Sequence, residues 1–252
     1  MVAVKRELYA DDAKIRELES EFYYSDVMTE DLRSHATRVG WYSYLLSRQY
    51  GHSDDLSRII MRGALYHDVG KCLVPDEIEN KPSRLTPEEF DIVKRHCVDG
   101  VDIAMNAGII AANDSLESIT YHNIILSHHE NYDGSGYPQG LTGDRIPLEA
   151  NLVSLADIFD ALMSERVYKK AWEEDRVVDY INENAGRIFR HDIVEAFNQI
   201  RHALVAMKRH FNIHGTPIVA PHDHAIQIAK VLVHENVYVP FVLPRMEFNE
   251  AE

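Results

Sequence analysis

Apolar residues recur at helical spacing through most of the chain, and long alternating β-branched runs are scarce before about the last fifty residues. The pattern predicts an all-α bundle. From about Thr29 to Tyr50 one stripe holds Leu32, Ala36, Val39 and Leu46, with His35 beside it and Gly51 as a stop signal. Ser53, followed by Asp54 and Asp55, opens a second helix whose face Leu56, Ile60, Gly63 continues onto His67 before Gly70 turns the chain. Thr86, Pro87, Glu88 and Glu89 predict a capping box with proline at the first helical position, starting a helix that carries Phe90, Val93 and His96. Ser115 is placed to cap another, through Ile119, Ile124 and Ile125 to His128. Asp133, Gly134, Gly136, Pro138, Gly140 and Gly143 then demand a turn-rich loop. The stretch from Pro147 to Met163 is apolar on nearly every side, so this helix is expected to be central, with Asp157 and Asp160 inside it.

After about Leu204 short β-branched runs mix with prolines and scattered histidines. The reading is therefore an N-terminal segment (residues 1–28), a helical domain (29–204) and a C-terminal extension (205–252) of mixed character, either β-containing or an arm packed back on the bundle.

Composition narrows what such a bundle can do. The chain has 252 residues, 45% hydrophobic and 27% charged, which is enough for one large domain with at most a small appendage. With 26 Lys and Arg against 41 Asp and Glu the net charge is −15, unfavourable for a nucleic-acid polymer or an anionic membrane. An anionic ligand would need positive charge concentrated in one place, which metal ions can supply. Fourteen His but only Cys72 and Cys97 exclude a disulfide framework and a thiolate zinc knuckle. The start MVAVKRELYADD lacks a signal-peptide core, and no apolar run reaches the roughly 18 residues of a membrane span. The expectation is a soluble, cytoplasmic protein.

The candidate chemistry lies in imidazoles and carboxylates: His35, His67 with Asp68, His96, His128 with His129, and Asp157. Each stands on or at the end of a separate, otherwise apolar helix. One such histidine alone would be an ordinary core residue; five helices each supplying one point to a metal centre. Imidazole and carboxylate without thiolate suit iron, manganese or zinc in a bundle core, and an Asp can bridge two ions through its two oxygens. A bridged pair about 3.5–4 Å apart suits phosphoester hydrolysis, since it can generate hydroxide at neutral pH and steady charge on the attacking and leaving oxygens.

The string His67-Asp68-Val69-Gly70-Lys71, then His96, His128-His129-Glu130, Asp133-Gly134-Ser135-Gly136-Tyr137-Pro138 and Asp157, in this order, resembles the HD-GYP family over about Asp31 to Phe197. That family is a branch of the HD phosphohydrolases, mainly bacterial cyclic di-GMP phosphodiesterases. The resemblance implies that His67, Asp68, His96, His128, His129 and Asp157 ligate two metals, with Asp68 as bridge and catalytic centrepiece. It implies a third ion at His35 and Asp31, giving two or three divalent ions, iron or manganese before zinc. Lys71 would reach a phosphate oxygen, and Arg166 and Lys169 would grip the phosphates. Asp160 would support the substrate side, and Tyr137 would border the cleft in a loop that also serves a diguanylate cyclase partner. The implied reaction converts cyclic di-GMP to pGpG and, with a third ion, onward to GMP. Its alternatives are a phosphohydrolase for another cyclic dinucleotide or a mononucleotide, and a non-catalytic cyclic-dinucleotide or partner-binding module.

Departures from the family pattern are Asp31 where glutamate is usual, a longer stretch between His96 and His128, and no sensory or receiver domain ahead of the motifs. Outside the motifs, Glu130 reads as a partner orienting a ligand histidine or as an exposed charge, and Asp133 as an Asx-turn. His122, His191, His202, His210, His222 and His224 read as packing or surface residues, and Cys72 and Cys97 as small buried thiols.

Overall fold

A computed structural model describes residues 29–165 and 170–217, together with Tyr23, Ser25, Ile228, 230–232, His234, Glu235 and Val237. Among them are helices and turns and no strand; the one β-type pairing is an isolated bridge between Ala185 and Phe189. The helices are α1 (Glu30–Tyr50), α2 (Asp54–Ala64), the single turn α3 (Asp76–Glu79), α4 (Pro87–Lys94), α5 (His96–Asn106), α6 (Leu116–Ser127), α7 (Leu148–Met163), α8 (Glu174–Glu183) and α9 (His191–His214).

Their boundaries follow from local chemistry. Thr29, Ser53 and Ser115 each accept a backbone N–H three residues on, closing the N-termini of α1, α2 and α6. Thr86 and Glu89 exchange the reciprocal bonds of a capping box, with Pro87 at the first helical position of α4. Gly51 ends α1 with φ 111°, a left-handed geometry that a residue with a Cβ rarely adopts. The helix expected to carry Phe90, Val93 and His96 is interrupted at Arg95, so His96 begins α5.

The packing makes two adjoining cores. One is built on α1, α2, α7, α8 and α9, around Trp41, Tyr42, Phe159, Phe197 and Phe211. The other gathers Ala36, Leu65, Tyr66, Val69, Ala104, Tyr121 and Ile125 from α1, the turn after α2, α5 and α6. Helix α7 contacts α1, α6, α8 and α9, the central place its all-round apolar sequence predicts. No helix among the described residues is long and apolar enough to cross a membrane.

The C-terminal extension differs from the β-containing expectation. Ile228 and Leu232 are fully buried in the first core and Val231 nearly so, and these residues are helical. Ile228, Val231 and Leu232 stand at i, i+3 and i+4, so burial of one helical face overrides the β preference of their branched side chains.

Candidate metal centre

The turn after α2 places His67 and Asp68, and a 3₁₀ turn (Val69–Leu73) carries Lys71. Gly70 lets this turn lie directly on α5: a Cβ there would collide with the carbonyl of His96 and the amide of Gly100. That close approach brings Asp68 to His96. Helix α6 delivers His128 at its C-terminal end with His129 next to it, α1 delivers His35, and α7 delivers Asp157.

Two ligand groups result. Asp68, His96, His128 and His129 each offer a ligand atom within 4.8 Å of the others, and so do His35, His67 and Asp157. Asp68 lies between them. Its Oδ1 is 3.3 Å from His96 Nε2 and 3.7 Å from His128 Nε2, whereas its Oδ2 is 3.3 Å from His67 Nε2 and 3.9 Å from His35 Nε2. Its two oxygens thus face different ligand groups.

The imidazoles are oriented from behind. His67 Nδ1 donates to Ala64 O at 2.8 Å, His96 Nδ1 to Val93 O at 2.7 Å and His128 Nδ1 to Ile124 O at 3.0 Å. With a proton fixed on Nδ1, each Nε2 turns a lone pair inward, the tautomer a metal requires. His96 Nε2 and His128 Nε2 consequently face each other at 3.4 Å, two acceptors with no proton to share. His67 Nε2 and Asp68 Oδ1 are buried with no hydrogen-bond partner. Lone pairs left unpaired in a buried site are costly, and a divalent cation satisfies all of them together. The residues present therefore fit a metal.

Electrostatics keep His96 and His129 neutral, whereas His35, against the opposing effect of burial, is pushed up to about 9 by its bonds to Asp157 and Asp160. Burial pushes the His96 imidazole down to about 4, so it stays neutral, and burial with the neighbouring His128 holds His129 well below its usual range. Burial would raise Asp68, yet Lys71 and His67 hold it well below the carboxylate range; Lys71 is ion-paired to its Oδ2. Asp157 is lowered against burial by its contact with His35, whose Nε2 is 3.1 Å from Asp157 Oδ1. Cys97, beside His96, is raised by burial and remains a thiol.

Four expectations change. Asp31 is exposed in the first turn of α1 and joins neither ligand group; His35 instead stands with His67 and Asp157, its Nδ1 donating to Asp160 Oδ2 at 2.9 Å. Asp31 is thus a helix-end charge, where a carboxylate complements the dipole. Asp160, expected on the substrate side, is turned from solvent. It is buried behind His35, with Oδ1 accepting from Arg38 Nε (2.8 Å) and Lys208 Nζ (3.0 Å) and Oδ2 from Arg38 Nη2 (2.8 Å). Burial opposes its ionisation, but His35 and Arg38 hold it well below the carboxylate range. Glu130 is neither a histidine partner nor exposed: it is buried and accepts the backbone N–H groups of Gln139 (2.7 Å) and Leu141 (2.9 Å), holding the loop closed. Cys72 is exposed.

In that loop Asp133 accepts from Ser135 N at 2.9 Å, the expected Asx-turn, and the Tyr137–Pro138 peptide is cis. Tyr137 stacks on His129, ring centroids 4.7 Å apart and planes 29° apart, with Phe90 edge-on at 5.8 Å. An aromatic face is thereby fixed against a candidate ligand. Arg166 and Lys169 lie outside the described residues.

Sequence reasoning missed Arg38 and Lys208. Both had a signal: Arg38 follows His35 by one helical turn, and Lys208 continues the apolar stripe of Leu204 and Phe211, a place where a lysine needs a buried partner.

The HD domain family model matches residues 28–192, well over half the chain. The chain belongs to the HD domain family, in its HD-GYP type. It is 40% identical over 159 residues to the cyclic di-GMP phosphodiesterase response regulator RpfG of Xanthomonas campestris, covering 63% of this chain and 40% of that protein. A cyclic di-GMP phosphodiesterase of Thermotoga maritima is 36% identical over 186 residues, 74% of this chain and 48% of its own. A 3′3′-cGAMP-specific phosphodiesterase 2 of Vibrio cholerae is 33% identical over 186 residues, 72% of this chain and 34% of its own. The HD domain chain thus spans under half the length of these relatives. Among solved structures, an HDG"Y"P protein of Bdellovibrio bacteriovorus superposes with TM-score 0.53 at 22% identity, over 68% of this chain and 52% of that one, a likeness of fold. HD domains bind divalent metals, in accord with the two ligand groups here.

Proposed function

We propose that the chain is a metal-dependent phosphodiesterase that opens cyclic di-GMP to linear pGpG. The observation that carries this reading is the placement of Asp68, whose two oxygens face two separate imidazole groups, as a carboxylate shared between two ions must. The activities named for the relatives support the substrate, with cyclic di-GMP named for the two of higher identity.

His35, His67 and Asp157 would hold one ion, His96, His128 and His129 the other, and Asp68 both. Divalent ions so held supply Lewis acidity toward phosphoryl oxygens and lower the pKa of nearby water, the two needs of phosphodiester hydrolysis. The protein's own contribution is preorganisation. Backbone carbonyls of Ala64, Val93 and Ile124 fix three tautomers, and Asp160, itself locked by Arg38 and Lys208, fixes His35. Lys71 keeps an ammonium beside Asp68, where a phosphate oxygen would gain charge. Tyr137 offers an aromatic surface next to His129 on which a guanine can rest. Arg166 and Lys169 complete the reading as the phosphate grip, a role that rests on the family resemblance. Iron or manganese suits the imidazole and carboxylate set, with zinc next.

The test is protein purified anaerobically, its metal counted, incubated with cyclic di-GMP, 3′3′-cGAMP, cyclic di-AMP and mononucleotides, with products resolved by chromatography. The reading predicts pGpG from cyclic di-GMP faster than cleavage of any other substrate. Metal-loaded protein that cleaves no cyclic dinucleotide would overturn it. Because a relative is named for 3′3′-cGAMP, faster cleavage of that nucleotide would move the chain to the alternative substrate.

A further inference from the structure

A second imidazole cluster lies at the C-terminal end of α9, beyond the last residue of the HD family match and sharing no residue with either ligand group of the metal centre. His210 and His214 are four residues apart on the last turn of α9, hence on one face of the helix. His234, twenty residues further on, meets them. Ring centroids are 4.6 Å apart for His210 and His214, 5.0 Å for His210 and His234, and 5.4 Å for His214 and His234. One ring nitrogen from each histidine lies within 4.8 Å of the other two.

What assembles the trio is ordinary packing. Ile228, Val231 and Leu232 are buried in the same core as Phe211, and the bonds Glu235 N to Val231 O (3.0 Å) and Val237 N to Leu232 O (2.9 Å) build the turn that carries His234. A further carboxylate organises the rings. Glu235 Oε1 accepts from Nδ1 of His210 at 2.8 Å and from Nδ1 of His234 at 2.9 Å. This is the relation that fixes metal-binding histidines elsewhere: with the proton held on Nδ1, Nε2 of both rings carries the lone pair, and the carboxylate charge partly offsets that of a cation.

The geometry points to a second metal site, formed by His210, His214 and His234 and oriented by Glu235, that takes a divalent transition ion of the zinc class and fastens the segment around His234 to the end of α9. Imidazole-only donors select zinc, nickel or copper over magnesium and calcium, which require oxygen ligands. Three protein ligands leave a fourth position of a tetrahedral ion to water, consistent with the exposure of His214 and His234. An ion bound only when both elements are in place stabilises their association, and its effect should be local to them.

The experiment uses the full chain as wild type, His214→Ala, His234→Ala and, as a control, His202→Ala, an exposed histidine on the same helix. Each is dialysed against micromolar zinc, the bound metal is counted, and amide exchange is followed with and without zinc. The variants at His214 and His234 should each hold one zinc fewer than wild type, and His202→Ala should lose none. Zinc should slow exchange at residues 231–237 in wild type and in the control alone. Equal zinc counts, a difference that needs millimolar zinc, or exchange at 231–237 unaltered by zinc would each overturn the site. All chains share the same HD centre, so the comparison stands whichever substrate that centre takes.

Discussion

Asp160 and Asp68 are both buried carboxylates, 1% and 2% exposed, yet their surroundings are opposite. Around Asp160 every oxygen is satisfied from within the chain: Arg38 spans both, Lys208 holds one and His35 the other. Around Asp68, Lys71 pairs with one oxygen, while Oδ1 has no hydrogen-bond donor and faces the Nε2 atoms of His96 and His128. A buried charge that serves the fold is paired by the fold; one surrounded by inward-facing lone pairs is arranged for a ligand. The first carboxylate is paired by the fold, and the second is the one we propose for the metals.

The sharpest way to break this comparison is to remove each carboxylate from metal-free protein. Asp160→Ala removes the carboxylate partner of Arg38 and of the buried Lys208 ammonium and should cost about 3–5 kcal/mol in denaturant unfolding. Asp68→Ala removes one ion pair, to the half-buried Lys71, and an oxygen that lacks a donor, and should cost far less. Equal losses would mean that Asp68 is as structural as Asp160. Next in size is Gly70→Ala, whose methyl group would push the Asp68 turn off α5; a loss of about 1–3 kcal/mol is expected, with reduced metal content. Unchanged metal content would show that this close approach does not position Asp68.

Substrate grip should separate from the metal. Arg166→Ala should weaken cyclic di-GMP binding by about 1.5–3 kcal/mol, the worth of a charge-assisted hydrogen bond, while the ion count stays constant. Lost metal, or untouched affinity, would remove Arg166 from the phosphate grip. The smallest effect belongs to Thr86→Ala, which deletes half of the capping box of α4 and should cost about 1 kcal/mol with no change in bound metal. A fall in metal content there would show that α4 shapes the centre.

Legibility in the sequence tracked the range of the interaction. Helix starts at Thr29, Ser53, Thr86 and Ser115 were readable because a cap is made within three residues. The histidines and aspartates of the centre were readable as polar interruptions of apolar stripes, joined by an ordered set of motifs. What failed was long-range or hidden in shape. Asp160 looked like a site residue because it shares a helix with Asp157, but its partners Arg38 and Lys208 are 122 and 48 positions away. Glu130 holds backbone amides 9 and 11 residues on, contacts that leave no side-chain signature. Asp31 has the right helical spacing from His35, yet the ring turns toward Asp157 and Asp160 instead. In the extension, branched residues suggested strands because nothing local reveals that Ile228 and Leu232 would be buried in the core of a helical bundle.

The central claim is that Asp68 joins two metal ions in one catalytic centre. Its most direct test is the metal content and cyclic di-GMP turnover of wild type and Asp68→Ala, purified side by side under anaerobic conditions. The account predicts two ions at the HD centre and pGpG formation for the wild type, and loss of those ions and of turnover in the variant. An Asp68→Ala protein that retained its ions and cleaved cyclic di-GMP at the wild-type rate would contradict it.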